Sequence, residues 1–271
     1  MQEYNVVVET KPGTFEEVLA TDDMTLQQLA EECQENYRDR IVLANVNGRL
    51  RELNKKVTDG AIVSFLNMTE RDGKRTYRRS VTLLLQKAVD NLWGDSVHVR
   101  VFYSLGEGYY CELENDSIDD EKLAAIKSEM QRLVELNLPI EKNSVKTEEA
   151  EHLFRDRGMK DKERLLHYRR SSRVNLYSLD GMEDYFYGYM VPSTGYLSVF
   201  DLQLYEDGFV LLFPNKNGSK VEPLNTSNKL YHTLKQSREW SQMLGVGTIG
   251  ALNDAIAAGK GEQIVLLQEA L

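Results

Sequence analysis

The spacing of apolar residues predicts a small, strand-rich module in residues 1 to about 68. Val6 and Val8 face one way in a first strand, a second short strand follows near Glu17 to Ala20, and Ile41–Val46 forms another. Thr25-Leu26-Gln27-Gln28 is a capping-box pattern and begins an amphipathic helix. Asn47-Gly48 predicts a hairpin turn. A strand pair, a helix and further strands, in that order, predict a ubiquitin-like β-grasp.

The pattern changes after a charged segment, Met68–Tyr77, which we interpret as a hinge. Two helices with apolar faces, one from Val81 and one after Asp119, flank a strand pair. Thr147 is the predicted N-cap of a third helix. From Val174 onward the pattern favours strands, and the continuous apolar run Phe209–Phe213 indicates a strand buried on both faces. The sequence therefore predicts a second, α+β module.

The tail alternates polar and apolar segments. Residues 214–227 predict a loop, Asn228 to about Leu244 a helix, Ala251–Ala258 a short helix and Ile264–Leu267 a strand. We divide the chain into residues 1–68, a β-grasp domain; 76–235, an α+β domain; and 236–271, a connector. The predicted fold class is α+β throughout.

Composition limits the classes of function. The chain has 271 residues, a formal charge of −10 and 41% hydrophobic residues, which argues for a folded, acidic protein rather than a generic nucleic-acid coat. The two cysteines, Cys33 and Cys111, fit a reducing compartment. The sequence has no signal peptide and no apolar run of the roughly 18–20 residues that span a bilayer. We expect a cytoplasmic protein without a membrane partner.

Motifs for common chemistry are weak. Gly245-Val246-Gly247-Thr248-Ile249-Gly250 matches a dinucleotide fingerprint but follows a predicted helix, so a chain-turning segment is favoured. The phosphate-binding loop of nucleotide hydrolases is missing from the sequence. The four histidines are scattered, and Cys111 is interpreted as a buried structural thiol. We predict no catalytic residue and no metal ligand.

Two basic runs are candidates for anion binding. One leads into the first long helix and the other lies about 90 residues later. If both face one groove, their guanidinium groups suit a phosphate, a carboxylate or an RNA backbone. The alternative is that Asp156, Asp161 and Glu163 neutralise the second run. The candidate residues are Arg75, Arg78, Arg79, Arg169, Arg170 and Arg173.

A tyrosine-rich segment offers a second candidate site. In a strand, Tyr185, Tyr187 and Tyr189 would share one face, and Phe186 and Met190 the other. Aromatic side chains can stack on a base, although packing in a core is the more common use.

Several stretches resemble the amino-terminal editing half of threonyl-tRNA synthetases, with its TGS domain and editing domain. The best matches are Arg78–Trp93, Gly106–Leu113, Val134–Leu166 and Gly188 with Val191-Pro192. The resemblance covers residues 1 to about 235. It implies a TGS-type β-grasp followed by an editing-type domain of the threonyl/alanyl-tRNA synthetase class.

The metal ligands of that family are replaced in this chain. Two histidines four apart correspond to Arg79 and Leu83, and a cysteine and a histidine four apart correspond to Phe186 and Met190. Arg, Leu, Phe and Met cannot form a hydrolytic zinc centre. A remnant pocket is expected around Arg79, Leu83, Tyr185, Tyr187, Tyr189 and Met190.

The altered front end also resembles bacterial uridine kinase/phosphoribulokinase-like nucleoside kinases, and Trp240–Leu271 resembles the joint before their kinase domain. The resemblance implies the non-catalytic, regulatory or ligand-binding amino-terminal region of such a kinase, expressed as a fragment. ATP and Mg²⁺ would belong to the missing carboxy-terminal domain, which would be its partner. The alternative is a tRNA- or ribosome-binding module, with nucleotide or RNA as ligand. A tRNA deacylase is the third option.

Overall fold

The computed structural model describes residues 2–218 and 220–269. Its helices are α1 (Leu26–Cys33), α2 (Arg71–Trp93), α3 (Asp120–Glu135), α4 (Thr147–Asp156), α5 (Lys160–His167), α6 (Asn228–Met243), α7 (Ile249–Ala257) and α8 (Gly261–Glu269). Its strands are β1 (Glu3–Lys11), β2 (Thr14–Thr21), β3 (Ile41–Val46), β4 (Arg49–Arg51), β5 (Ile62–Asn67), β6 (His98–Leu105), β7 (Gly108–Glu114), β8 (Ile140–Lys146), β9 (Arg173–Leu179), β10 (Met182–Tyr185), β11 (Asp201–Tyr205) and β12 (Gly208–Leu212). The fold is α+β, as the sequence predicts.

The chain divides into two compact units. The first comprises Met1–Glu141, Ser178–Met182 and Phe186–Leu224, and the second comprises Lys142–Tyr177, Glu183–Tyr185 and Asn225–Leu271. This division rests on contacts between residues and leaves the predicted bounds 1–68, 76–235 and 236–271 untested. Those bounds stay predictions.

The first sheet of the first unit has the order β2-β1-β5-β3-β4, in which β1 and β5 run parallel. Helix α1 begins at the predicted capping box: the Thr25 hydroxyl accepts from the Gln28 amide, and the Gln28 side chain accepts from the Thr25 amide. Asn47 and Gly48 both have positive φ, at 51° and 77°, as a tight β3–β4 hairpin requires. These local predictions are confirmed.

The segment predicted as a hinge is helical from Arg71 onward, because α2 starts there and continues without a break to Trp93. Its start is charged on the solvent side, but Thr76 and Tyr77 are already buried. The Tyr77 hydroxyl donates to the Val199 carbonyl over 3.1 Å and accepts from the Val199 amide over 2.9 Å. The charged composition of this segment therefore led to the prediction of a hinge where the first two turns of a core helix lie.

The second sheet of the first unit is antiparallel, with the order β11-β12-β7-β6. All five residues of β12 are buried, which confirms the prediction of a doubly covered strand. Helices α2 and α3 supply apolar residues to this core, among them Leu84, Leu85, Ile126 and Met130.

Strands β10-β9-β8 form a three-stranded sheet, and most of their residues belong to the second unit. An apolar cluster joins this sheet to α4 and α5; it contains Ala150, Phe154, Leu166, Val174 and Leu176. Helix α4 begins one residue earlier than predicted, because Lys146 is its N-cap and Thr147 its first residue. The Thr147 hydroxyl instead donates to the Ser171 carbonyl over 2.5 Å.

The tail contains a helix where the sequence pattern predicted a strand. Ile264–Leu267 lies inside α8, and the prediction of a strand there is wrong. A run of four apolar residues does not separate helix from strand by periodicity, and its neighbours Glu262, Gln263, Gln268 and Glu269 favour helix. In the described part of the chain, no helix is long and apolar enough to cross a membrane.

Candidate functional site

The candidate site lies in the first unit, where α2 meets the irregular segment after β10. Arg79 Nη1 donates to the Tyr189 carbonyl over 2.5 Å. Gly188 has φ 133°, and a Cβ atom placed on it would lie 2.5 Å from Arg79 Cζ. The guanidinium therefore fills the space beside Gly188 and holds the segment against the helix.

The next residue of α2 continues this attachment. Ser80 Oγ donates to the Thr76 carbonyl over 2.9 Å and accepts from the Val191 amide over 3.0 Å. It also lies 3.3 Å from Met190 Sδ. The Met190 amide donates to the buried carboxylate of Glu52 over 3.1 Å. Backbone groups of the segment are thus paired with three side chains from elsewhere in the unit.

The replaced positions hold none of the side chains that bind a hydrolytic zinc ion. Leu83 and Met190 are buried apolar side chains, and the Arg79 guanidinium is always protonated and donates only. Phe186 is half-buried. Within residues 2–218 and 220–269, no three His, Cys, Asp or Glu side chains lie close enough to share a metal ion.

The tyrosine segment departs from the predicted strand. Strand β10 ends at Tyr185, and residues 186–191 have no regular structure, so the predicted alternation of faces fails there. The positive φ of Gly188 and the hydrogen bonds from Arg79 and Ser80 replace the ladder of a strand. The backbone carbonyl of Tyr189 is thereby brought to Arg79.

The other tyrosines of this part of the chain lie in different environments. Tyr185 packs against the apolar cluster of the second unit, whereas Tyr187 is 81% exposed. Tyr196 is buried, with the Arg40 guanidinium 4.2 Å from its ring centre, and burial raises the pKa of its hydroxyl. Of the predicted pocket residues, Arg79, Tyr189 and Met190 lie at the attachment of this segment to α2, and a pocket among them stays a prediction.

The arginines of the first basic run are held by neighbours in the first unit. Arg78 pairs with Glu107 over 2.6 Å, and its guanidinium lies 4.9 Å from the centre of the Phe213 ring. Lys74 pairs with the same carboxylate over 2.7 Å, and this hydrogen bond lowers the pKa of Glu107. Arg75 makes a longer contact of 3.4 Å with Asp72. These cations are mainly engaged within the fold.

The second basic run lies in the second unit. Arg169, Arg170 and Arg173 are exposed. Arg173 donates to both the hydroxyl and the carbonyl of Ser144. The predicted neutralisation applies to Glu163, which pairs with Arg155 over 2.6 Å. The two runs belong to different units, so a shared groove stays a prediction.

Sequence reasoning missed a buried ion pair in the second unit. Lys162 of α5 pairs with Asp184 of β10, whose side chain is 4% exposed, and Lys162 Nζ lies 5.5 Å from the centre of the Phe154 ring. A lysine in a charged helix and a lone aspartate 22 residues later carry no pairing signal. Phe154, which belongs to the apolar cluster, lies beside the pair.

The remaining motifs have structural roles. Gly245, with φ 71°, ends α6, and Thr248 caps α7, which confirms a chain-turning glycine segment. A Cβ on Gly250 would lie 2.5 Å from Arg164 Cβ, so this glycine permits close packing of α7 on α5. Burial raises the pKa of the Cys111 thiol, as expected of a structural cysteine.

A small cleft of about 210 Å³ also occurs in the first unit. Its lining is Leu138, Pro139, Glu141, Ser178, Asp180 and Gly181. Lys87, largely buried on α2, donates to the Asp180 carbonyl over 2.8 Å and so supports one wall. The cleft offers hydrogen-bonding groups but is smaller than typical ligand pockets.

Comparison with known proteins places this chain beside threonine–tRNA ligases. It is 30% identical to that of Syntrophotalea carbinolica over 163 residues, which are 59% of this chain and 26% of that protein. It is 31% identical to that of Rubrobacter xylanophilus over 167 residues, 61% of this chain and 26% of that protein. It is 28% identical to threonine–tRNA ligase 2 of Bacillus subtilis over 181 residues, 66% of this chain and 28% of that protein.

The similarity to threonine–tRNA ligases covers part of this chain and part of each relative. The chain spans about a quarter of the length of these relatives, and about 60% of it is threonyl-tRNA synthetase-like. No protein-family model matches the chain. The relatives named here give the expected link to nucleoside kinases no support, so that link stays a prediction.

Proposed function

We propose that this chain is a non-catalytic, tRNA-directed module built on the plan of the amino-terminal part of threonyl-tRNA synthetases. The observation that carries the proposal is the similarity to threonine–tRNA ligases over about 60% of the chain. The alternative of RNA binding, which the sequence left open, thus takes precedence over regulation of a kinase.

The contacts around Arg79 support the absence of hydrolytic chemistry. A guanidinium occupies the space beside Gly188, and a buried thioether lies against Ser80. Ser80 Oγ is buried and engaged with Thr76 and Val191, which leaves it without the adjacent base that an activated hydroxyl needs. The segment therefore serves as a structural attachment.

The first sheet fits a TGS-type role. We assign residues 1–68 to a ubiquitin-like β-grasp because the order β2-β1-β5-β3-β4, a parallel β1–β5 pair and one covering helix occur together. A regulatory role in a nucleoside kinase remains the second hypothesis, carried by the sequence resemblance alone. This hypothesis requires an in-frame phosphate-binding loop after residue 271, with ATP and Mg²⁺ bound there.

Binding of labelled tRNA to the 271-residue chain tests the proposal. We expect fluorescence anisotropy to report binding at 50 mM salt that weakens at least about tenfold by 200 mM salt, since phosphate contacts release counterions. Undetectable binding, or binding that does not respond to salt, would reject it. A labelled single-stranded DNA of equal length is the control that shows whether binding depends on the folded shape of the tRNA.

A further inference from the structure

The second unit carries a cationic surface around β8, β9 and the loop before β9. We call it the basic face and define it by Lys142, Lys146, Arg169, Arg170 and Arg173. The arginines and Lys146 are exposed, and Lys142 is half-buried. Five cations therefore concentrate on one small part of a chain whose overall formal charge is −10.

Strand alternation explains why Lys142, Lys146 and Arg173 share a side, and Arg169 and Arg170 lie in the loop that leads into β9. Strands β8 and β9 are neighbours in the sheet. Val145, Val174 and Leu176 point into the apolar cluster. Successive side chains of a strand point to opposite faces, so the other face presents Lys142, Ser144 and Lys146 from β8 and Arg173, Asn175 and Tyr177 from β9.

The basic face is held in shape by its own unit. The Arg173 guanidinium is fixed on Ser144 through two hydrogen bonds. The loop is tied to the start of α4, since the Thr147 hydroxyl donates to the Ser171 carbonyl over 2.5 Å and its amide to the Ser172 carbonyl over 3.1 Å. Lys142 Nζ lies 5.3 Å from the centre of the Tyr177 ring. Less ordering is then needed when a ligand binds.

The charge of Lys146 is only weakly neutralised. Lys146 contacts Glu149 at 3.7 Å, and both side chains are at least 60% exposed. Pairs this exposed contribute little energy and exchange readily for a phosphate. Ser144 and Asn175, which lie between the cations, add neutral hydrogen-bonding groups that also suit phosphate oxygens.

The chemistry of this face selects among anionic partners. Tyr177 is 1% exposed, so its ring is covered and does not offer a stacking platform for unpaired bases. Cations interspersed with small polar residues fit the sugar-phosphate backbone of an RNA stem, which is recognised by shape.

We infer that the basic face is the surface on which the second unit contacts the phosphate backbone of a base-paired RNA stem. The inference rests on the proposed function, because it assigns the tRNA contact to particular residues. Sequence-independent phosphate contacts of this kind orient an RNA without reading its bases.

The test compares three forms of the full chain in the same tRNA-binding assay: the unaltered chain, K146E/R170E and R49E/R51E. The last is a matched control, because Arg49 and Arg51 are exposed on β4 of the first unit and the change in charge is equal. We expect K146E/R170E to weaken binding at least about tenfold at 50 mM salt. The slope of log K against log salt should fall by about 2, and the control should change little.

The outcomes separate the two claims. Retained affinity in K146E/R170E, or an equal loss in R49E/R51E, would overturn the basic face and leave the proposed function intact. No binding by the unaltered chain would overturn both. Circular dichroism and thermal unfolding of each variant verify the fold, which should be unchanged because the four altered side chains are exposed.

Discussion

Arg79 packs face-on against Gly188. A Cβ atom on this glycine would lie 2.5 Å from Cζ of the arginine and 2.7 Å from each of Nη1 and Nη2. The guanidinium is fixed there by its hydrogen bond to the Tyr189 carbonyl. An arginine at this position therefore has a definite structural role, which explains how the segment stays attached to α2 with no metal ligand at the replaced positions.

Replacement of Gly188 by alanine should be costly. Its φ of 133° is unfavourable for an L-residue, and the new methyl group would collide with Arg79. We expect G188A to lower the free energy of unfolding by about 3 kcal/mol in urea titrations. Gly60 is the control, because its φ is also positive, at 68°, but its surroundings are open.

G60A should cost about 1 kcal/mol from backbone strain alone. R79A/G188A should recover part of the loss of G188A, as contact between the two side chains requires. Equal costs for G188A and G60A would contradict the packing of Arg79 on Gly188.

The Tyr77 hydroxyl should stabilise the first unit through Val199. Because Y77F leaves the half-buried Val199 amide and carbonyl without this partner, we expect a loss of about 1–2 kcal/mol in urea unfolding. Tyr4 is half-buried on β1, and Y4F should change the stability by less than about 0.5 kcal/mol. A loss no larger than that in Y77F would refute the role of the hydroxyl.

Removal of one partner from the buried Lys162–Asp184 pair should strongly destabilise the second unit. D184N leaves the lysine charge without its counterion in a covered site, so we expect a loss of about 3–5 kcal/mol in the second unit. D72N breaks the exposed Arg75–Asp72 contact, where the side chains are 58% and 40% exposed, and should cost at most about 1 kcal/mol. Hydrogen exchange localises each effect; similar effects of the two variants would contradict burial of the pair.

Alkaline pH should destabilise the first unit through its thiols. Burial raises the pKa of both Cys33 and Cys111 above the usual value of 9.0. The folded state then keeps protons that the unfolded state loses, so the contribution of the two thiols to stability is fully present well below pH 9 and is lost as pH rises past 9.

Unfolding titrations between pH 8 and 10 should show this fall, and C111A should reduce its slope by about one proton. An unchanged slope in C111A would contradict this account, because it would mean that Cys111 loses its proton equally in the folded and unfolded states. Modification by a thiol reagent should correspondingly be slow until urea is added.

Local patterns predicted much of this fold because their physics is local. The Thr25 cap, the Asn47-Gly48 turn and the buried strand β12 each depend on a few adjacent residues. The helical state of Arg71–Tyr77 depends instead on burial of Tyr77 beneath distant chain, and a charged composition hides that.

At the candidate site, too, some features follow from local chemistry and others from tertiary contacts. That Arg79, Leu83, Phe186 and Met190 cannot form a hydrolytic zinc centre follows from side-chain chemistry alone. The irregular path of residues 186–191 follows from contacts with Glu52, Arg79 and Ser80, which are over 100 residues away in sequence. The Lys162–Asp184 pair is likewise a tertiary contact, which no spacing rule reveals.

The central claim is that a synthetase-like scaffold persists here without hydrolytic chemistry. The most direct test is the rate at which saturating amounts of the full chain release the amino acid from mischarged threonine tRNA. We predict a rate equal to spontaneous hydrolysis in buffer. Release that accelerates in proportion to the concentration of the chain, and that a metal chelator abolishes, would contradict the claim.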